Sequence, residues 1–391
     1  MKTIYDSRFT IYFFVSAGVY LHIPFCRSRC SYCDFAVSIY QSDLAEKYVD
    51  ALCREISNFK SQISNFQIDT IYFGGGTPSL LTPKQAEKIL QTVFDVFSVQ
   101  ANAEITMEMN PGTLTPEISR RFRSLGINRA SYGAQTFDDN ELKRLGRRHT
   151  AEDVRKTIDL LRAADFTNVS FDLIAGLPSQ TLKDWERNLN EALKLKPEHL
   201  SLYLLEIHEG TPLAKHISEG KQPAPDEDLA GEMYLTLLEK IAESDYGQYE
   251  ISNFCLPGFE SKHNSKYWTA DAVYGFGCSA HSFDGERRRW ANARDTNAYI
   301  KLIEKTGAAI VEETILDERE RRAEFAFLGL RLMRGVCLAE FEEKFSVSFL
   351  GEYGAALEES FEAGLIEVVE NRLRLTGKGA LFSNTVFAAF V

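Results

Sequence analysis

The sequence predicts an α/β protein, an incomplete (β/α)6 barrel followed by a C-terminal winged-helix-like α+β domain. Three observations predict it. Strand and helix patterns alternate from Val19 to about Leu205, as a parallel sheet with helical crossovers requires. That alternation takes roughly 190 residues, whereas a complete eight-stranded barrel takes about 250. The pattern then changes, and residues 317–391 hold short helices around a two-strand ribbon.

The elements follow in order. "VYLHIPF" is an apolar strand, and "SDLAEKYVDALCREISNF" places Leu44, Val49, Leu52, Ile56 and Phe59 on one helical face. "DTIYFGGG" is the second strand. The helix "TPKQAEKILQTVFDVF" opens with Thr82 as N-cap, Pro83 at its first position and Gln85 completing a capping box. Strands recur at "EITMEM", "NRASYGAQ", "NVSFDLIAG" and "EHLSLYLLE", with helices after Thr150 and Thr181 between them. Six strands and five intervening helices result, with chemistry expected at the carboxyl ends of the strands. Residues 1–17 read as an N-terminal extension, 18–206 as the partial barrel, 207–316 as a looser connecting region and 317–391 as the tail domain. The tail carries an excess of acidic residues, so it reads as a packing module and not as a DNA reader.

The chain has 391 residues, with a net charge of -12, 44% apolar and 26% charged residues, which is an ordinary globular composition. The acidic balance argues against nucleic acid as a partner. No apolar run approaches the roughly 18 residues that cross a bilayer. "KTIYDSRFTIYFFVSAG" has weak signal-peptide character, yet export would carry thiolates into an oxidising compartment. A cytoplasmic location is therefore expected.

Seven cysteines are present, and four of them (Cys53, Cys255, Cys278, Cys337) are scattered without framework spacing. The other three stand together in "HIPFCRSRCSYCDF" as Cys26, Cys30 and Cys33. Three readings compete. Buried apolar thiols are improbable on a loop of Arg, Ser and Tyr. A zinc site would need His22 as fourth ligand, at an awkward place on the preceding strand. A [4Fe–4S] cluster binds its thiolates one to each iron, and three thiolates leave one iron open. Further unusual residues stand at the strand ends. Gly74, Gly75 and Gly76 allow close backbone approach before Thr77. Glu108 alternates with Met107 and Met109 and so faces the other side of the sheet. Gln135, Arg147 and Asp172 lie at or beyond successive strand ends, and Asp172 has the chemistry to accept from both ribose hydroxyls.

The C-x3-C-x2-C loop after the first strand of such a barrel resembles the radical S-adenosylmethionine (SAM) superfamily. "VYLHIPFC", "IYFGGGTPSLL", "EMNPG", "NRASYGAQTF", "GRRHT" and "DLIAGLP" narrow the resemblance to the HemN/HemW family, from about Gly18 to the C-terminus. That resemblance implies a [4Fe–4S] cluster on Cys26, Cys30 and Cys33, with the open iron chelating SAM, whose reductive cleavage yields a 5′-deoxyadenosyl radical. It implies SAM contacts at Tyr20, Tyr32, Gly75, Gly76, Thr77, Glu108, Gln135, Arg147 and Asp172. The family divides into coproporphyrinogen III oxidases, which continue the cluster motif with Cys-x-Cys, and haem chaperones. This chain reads Cys33-Asp34-Phe35, and its "HNSKYW" (His263, Asn264, Tyr267, Trp268) matches the chaperone branch's haem-binding motif. Expected partners are therefore haem, haem-accepting proteins such as respiratory enzymes, and an electron donor, for a monomer or homodimer. Oxidative decarboxylation of coproporphyrinogen III and a structural zinc protein are the alternatives. Whether SAM is cleaved in the working cycle stays open at this stage.

Overall fold

The computed structural model describes residues 16–59 and 67–390. Residues 1–15, most of the expected extension with its signal-like stretch, lie outside the described residues. Six parallel strands form the barrel wall: β1 (Ser16–Ile23), β2 (Gln67–Gly75), β3 (Ser98–Met109), β4 (Arg129–Gln135), β5 (Val169–Ala175) and β6 (His199–Leu204). Helices Ser42–Phe59, Pro83–Val96, Pro116–Ser124, Ala151–Arg162 and Leu182–Leu195 return the chain between them. Capping boxes start three of these helices, at Thr82 with Gln85, Thr150 with Asp153 and Thr181 with Asp184. Each satisfies orphan N–H groups at both the cap and the third position.

The two faces of the barrel strands differ in kind. Val19, Leu21, Ile71, Phe73, Ile105, Met107, Tyr132, Phe171 and Leu202 pack with the helices in one continuous core. The alternate positions carry Tyr72, Thr106, Glu108, Arg129, Ser131, Ser170, Asp172, His199 and Ser201, aligned across neighbouring strands by register. A polar inner wall results, opposite the apolar face that meets the helices.

The stretch expected to be looser is built into the same sheet. Strands β7 (Gly247–Glu250) and β8 (Asn253–Cys255) extend it antiparallel beyond β6. On the other edge β9 (Val273–Phe276) pairs parallel with β1, and β10 (His281–Phe283), β11 (Arg288–Asn292) and β12 (Ile310–Ile315) follow antiparallel. The sheet therefore has 12 strands, in the order β12-β11-β10-β9-β1-β2-β3-β4-β5-β6-β8-β7. These added strands are short, and β9 is buried throughout while β12 is exposed throughout. Neither shows the alternation by which a strand is read from sequence. Strand β1 also begins at Ser16, inside the span expected to be extension.

The tail domain has its own core of Phe341, Phe345, Phe349, Tyr353 and Phe390, with ring centroids as close as 4.9 Å. Its ribbon (Ile366–Val369 and Arg372–Leu375) gains a third strand, Val336–Cys337. Helix Glu318–Arg331 ends against the barrel, where Ile251 N–H donates to the Arg331 carbonyl at 3.2 Å and Met333 N–H to that of Tyr249 at 3.0 Å. No helix among the described residues is long and apolar enough to cross a membrane.

Candidate functional site

At the carboxyl end of the barrel a cavity of about 530 Å³ opens, within the range of small-molecule sites. Of the residues expected there, Cys26, Cys30, Cys33, Tyr32, Gly75, Gly76, Glu108, Gln135, Arg147 and Asp172 line it. Their convergence follows from topology: the cluster loop follows β1, Gly75 ends β2 and Gly76 follows it, Glu108 is next to last in β3, Gln135 ends β4 and Asp172 lies on β5.

Thiols from two points of the loop are tied to one network. Thr77 Oγ1 lies 3.5 Å from Cys26 Sγ and accepts from Asn110 Nδ2 at 2.8 Å. Asn110 Oδ1 accepts from Arg147 Nη2 at 3.0 Å, and Arg147 Nη1 donates to Cys30 Sγ at 3.6 Å. Burial pushes the Cys26 thiol up and the Cys33 thiol up to about 11. Thiolates here therefore need nearby positive charge, which metal ions supply. Among the described residues no three metal-ligating side chains close on a single point. Thiolates that each bind a separate iron do not need to, so the donor set fits an iron–sulfur cluster.

The carboxylates are held differently. Glu108 Oε1 accepts from the Tyr72 hydroxyl at 2.9 Å and Oε2 from Gly75 N–H at 3.1 Å. Burial outweighs both bonds and pushes Glu108 up to about 7. Asp172 is also raised by burial, opposed by Arg129, by the Ser201 and Ser131 hydroxyls and by Arg147. Gln135 sits at φ 66° beside a register shift from Gly133, an arrangement that turns its side chain back over the strand. A Cβ at Gly133 would lie 2.2 Å from Gln135 Nε2 and 2.9 Å from Arg147 Nη2, so glycine is what lets both side chains fold across the strand end.

The glycine run also fastens the strand end. Its N–H groups are used internally: Gly75 to Glu108, Gly76 to the Ile23 carbonyl and Thr77 to that of Phe25. A Cβ at Gly75, where φ is 108°, would strike the His22 ring at 2.6 Å. The run locks the end of β2 onto the cluster loop. Tyr20 and Thr77 are near the cavity but not on its wall. Tyr20 stacks on Tyr72 with centroids 6.1 Å apart, while Thr77 is buried behind Cys26.

"HNSKYW" forms the helix Lys262–Trp268, away from the cavity wall. His263 is 1% exposed and stacks on Tyr72 at 5.0 Å. Its Nδ1 meets Thr70 Oγ1 at 2.9 Å and its Nε2 meets the Tyr267 hydroxyl at 3.1 Å, so both ring nitrogens are engaged. Burial pushes it down to about 3. Tyr267 is 39% exposed, Asn264 is half-buried, and Trp268 lies under the Arg331 guanidinium at 4.2 Å.

Sequence reasoning missed Asn110, Ser131, Tyr203, His208 and Arg331, all on the cavity wall. Asn110 was within reach, since it lies two residues after Glu108 in a quoted motif. Ser131 and Tyr203 lie on strands that were themselves predicted, whereas His208 and Arg331 come from segments far along the chain, and only the fold brings them here.

The radical SAM superfamily model matches residues 20–192, and the HemN C-terminal domain model matches residues 316–382. A Bacillus subtilis protein named heme chaperone HemW is 37% identical over 96% of this chain and 99% of its own length. Another of that name, from Lactococcus lactis, is 36% identical over 96% of this chain and 97% of its own. Among solved structures, the coproporphyrinogen III oxidase HemN from Escherichia coli superposes with a TM-score of 0.85 at 22% identity, covering 96% of this chain and 90% of that one. At that identity the match shows the fold alone.

Proposed function

We propose a haem chaperone, because this chain belongs to the HemW family of the radical SAM superfamily. The observation that carries this reading is the end-to-end match, barrel through tail, with chains named heme chaperone HemW. Phe35 supports it. It stands at the cavity wall, 61% exposed, where the oxidase pattern would continue with cysteine.

In this proposal Cys26, Cys30 and Cys33 hold a [4Fe–4S] cluster, which supplies a one-electron centre with an open iron position. Glu108 holds the SAM ammonium, and Asp172 receives the ribose hydroxyls from the inner wall. Arg147 keeps Cys30 in an electropositive setting and fixes Asn110. Haem is received at this end of the barrel and passed to haem-dependent proteins. Contact through His263 requires Tyr267 to leave Nε2 first.

The test is anaerobic purification with haemin and coproporphyrinogen III assayed side by side. Stoichiometric haemin binding without formation of protoporphyrinogen IX is the expected result. Turnover of coproporphyrinogen III with SAM and a reductant would replace the chaperone with the oxidase.

A further inference from the structure

We infer that haem docks at the outer rim of the thiol-lined cavity, with the His208 imidazole as axial ligand to its iron; this rests on the chaperone reading above. The first argument is accessibility. Of the seven histidines, four are interior and already bonded. His22 meets the Ala36 carbonyl and Tyr20, His149 the Ala134 carbonyl, His199 meets Ser170 and Tyr249, and His263 meets Thr70 and Tyr267. His216 and His281 lie off the cavity wall, whereas His208 lines it with a side chain 44% exposed.

The second argument is poise. His208 Nδ1 is 3.9 Å from Asp34 Oδ2, and Nε2 is 3.6 Å from Glu206 Oε2, both beyond hydrogen-bond distance. The ring is thus free to coordinate, with a carboxylate beside each nitrogen to orient it once the other binds iron. Its backbone is pinned. The His208 carbonyl accepts from Thr211 Oγ1 at 2.7 Å, and Leu213 N–H donates to Ser31 of the cluster loop at 2.8 Å.

The third argument is the chemistry of the rim. Phe35, Tyr203 and Leu204 line the cavity yet remain 61%, 41% and 37% exposed, which gives a flat macrocycle apolar surface to cover. Cations for its propionates stand on the same wall, in Arg29 and Arg331. Arg331 spends one nitrogen on Glu250 at 3.4 Å and leaves Nε buried without a partner. Apolar area, an unbound imidazole and guanidinium groups on one wall are the features that haem carboxylates and iron require.

Haemin titration of the cluster-loaded protein tests this. Loss of even an outer-shell partner costs about 10- to 100-fold in metal affinity, so His208→Ala is expected to weaken haemin binding at least about tenfold. It should also shift the Soret band while iron–sulfur absorbance and SAM binding stay as in wild type. His281→Ala should match wild type in every readout, and Phe35→Asp should weaken haemin without changing the ligand signature. If His208→Ala keeps the wild-type Soret band and affinity, the inference is overturned and the chaperone reading stands. If His263→Ala alone loses the band, the ligand is His263. If wild type binds no haemin, both readings fall together.

Discussion

Glu108→Gln separates the chemistry of the inner wall from its packing. The wild-type carboxyl is raised from 4.5 to about 7 by burial. Its folded-state value lies above the unfolded one, so the associated stability is full below pH 4.5 and is lost as the pH rises through about 7. At ~1.36 kcal/mol per pH unit the loss is at most about 3 kcal/mol, and less because the half-buried side chain lines an open cavity. Glutamine fits the site. Its carbonyl can accept from Gly75 N–H, and its amide can donate to the Tyr72 oxygen, whose own proton rotates away. The variant should therefore match wild type in stability near pH 4.5 and exceed it by up to about 3 kcal/mol at about pH 8. SAM affinity should fall roughly ten- to a hundred-fold in the same variant, because a charge-assisted bond to the ammonium is lost. Anaerobic urea unfolding across that pH range gives the first readout, and calorimetric titration with SAM the second. Superimposable pH profiles for the two proteins would refute the burial argument, and unchanged affinity would refute the ligand assignment.

Replacing Cys26, Cys30 or Cys33 with Ala should remove most of the roughly four irons of a reconstituted cluster, by iron assay. Cys53→Ala, which removes a thiol buried on helix Ser42–Phe59 and off the cavity wall, should keep them. Asp172→Ala should weaken SAM roughly ten- to a hundred-fold with iron content intact, again by calorimetry. Gly133→Ala should weaken SAM as well, because a Cβ there would meet the ends of Gln135 and Arg147 at 2.2 and 2.9 Å and displace them. A binding constant equal to wild type for either variant would remove that residue from the SAM site.

The barrel was legible because its outer face is uniformly apolar and its helices announce themselves with Thr82, Thr150 and Thr181. Glu108 was legible for the complementary reason, as a charge between two core methionines. The flanking strands were not, since an edge such as Ile310–Ile315 is set by pairing with β11 and not by its own burial pattern. Distance along the chain hid the rest of the site. His208 lies nearly two hundred residues after Cys26 and Arg331 more than a hundred beyond that, and no local spacing records that they share a wall. Local sequence likewise pointed to His263 without disclosing that Thr70 and Tyr267 hold both its nitrogens.

The cluster loop is fastened at many points that involve no metal. Ser31 N–H donates to the Leu145 carbonyl at 2.9 Å, Ser38 to Pro24 at 2.7 Å, Tyr40 to Cys26 at 2.9 Å and Thr77 to Phe25 at 2.8 Å. In small zinc domains the metal and the fold arrive together, and a chelator unfolds the chain. Here the thiols are presented by a frame that already stands. Oxygen that destroys the iron–sulfur core should leave behind an apo protein with its barrel intact, open to reloading without refolding. A cofactor this fragile then becomes a replaceable part, and the lifetime of the protein is no longer bound to the lifetime of its cluster.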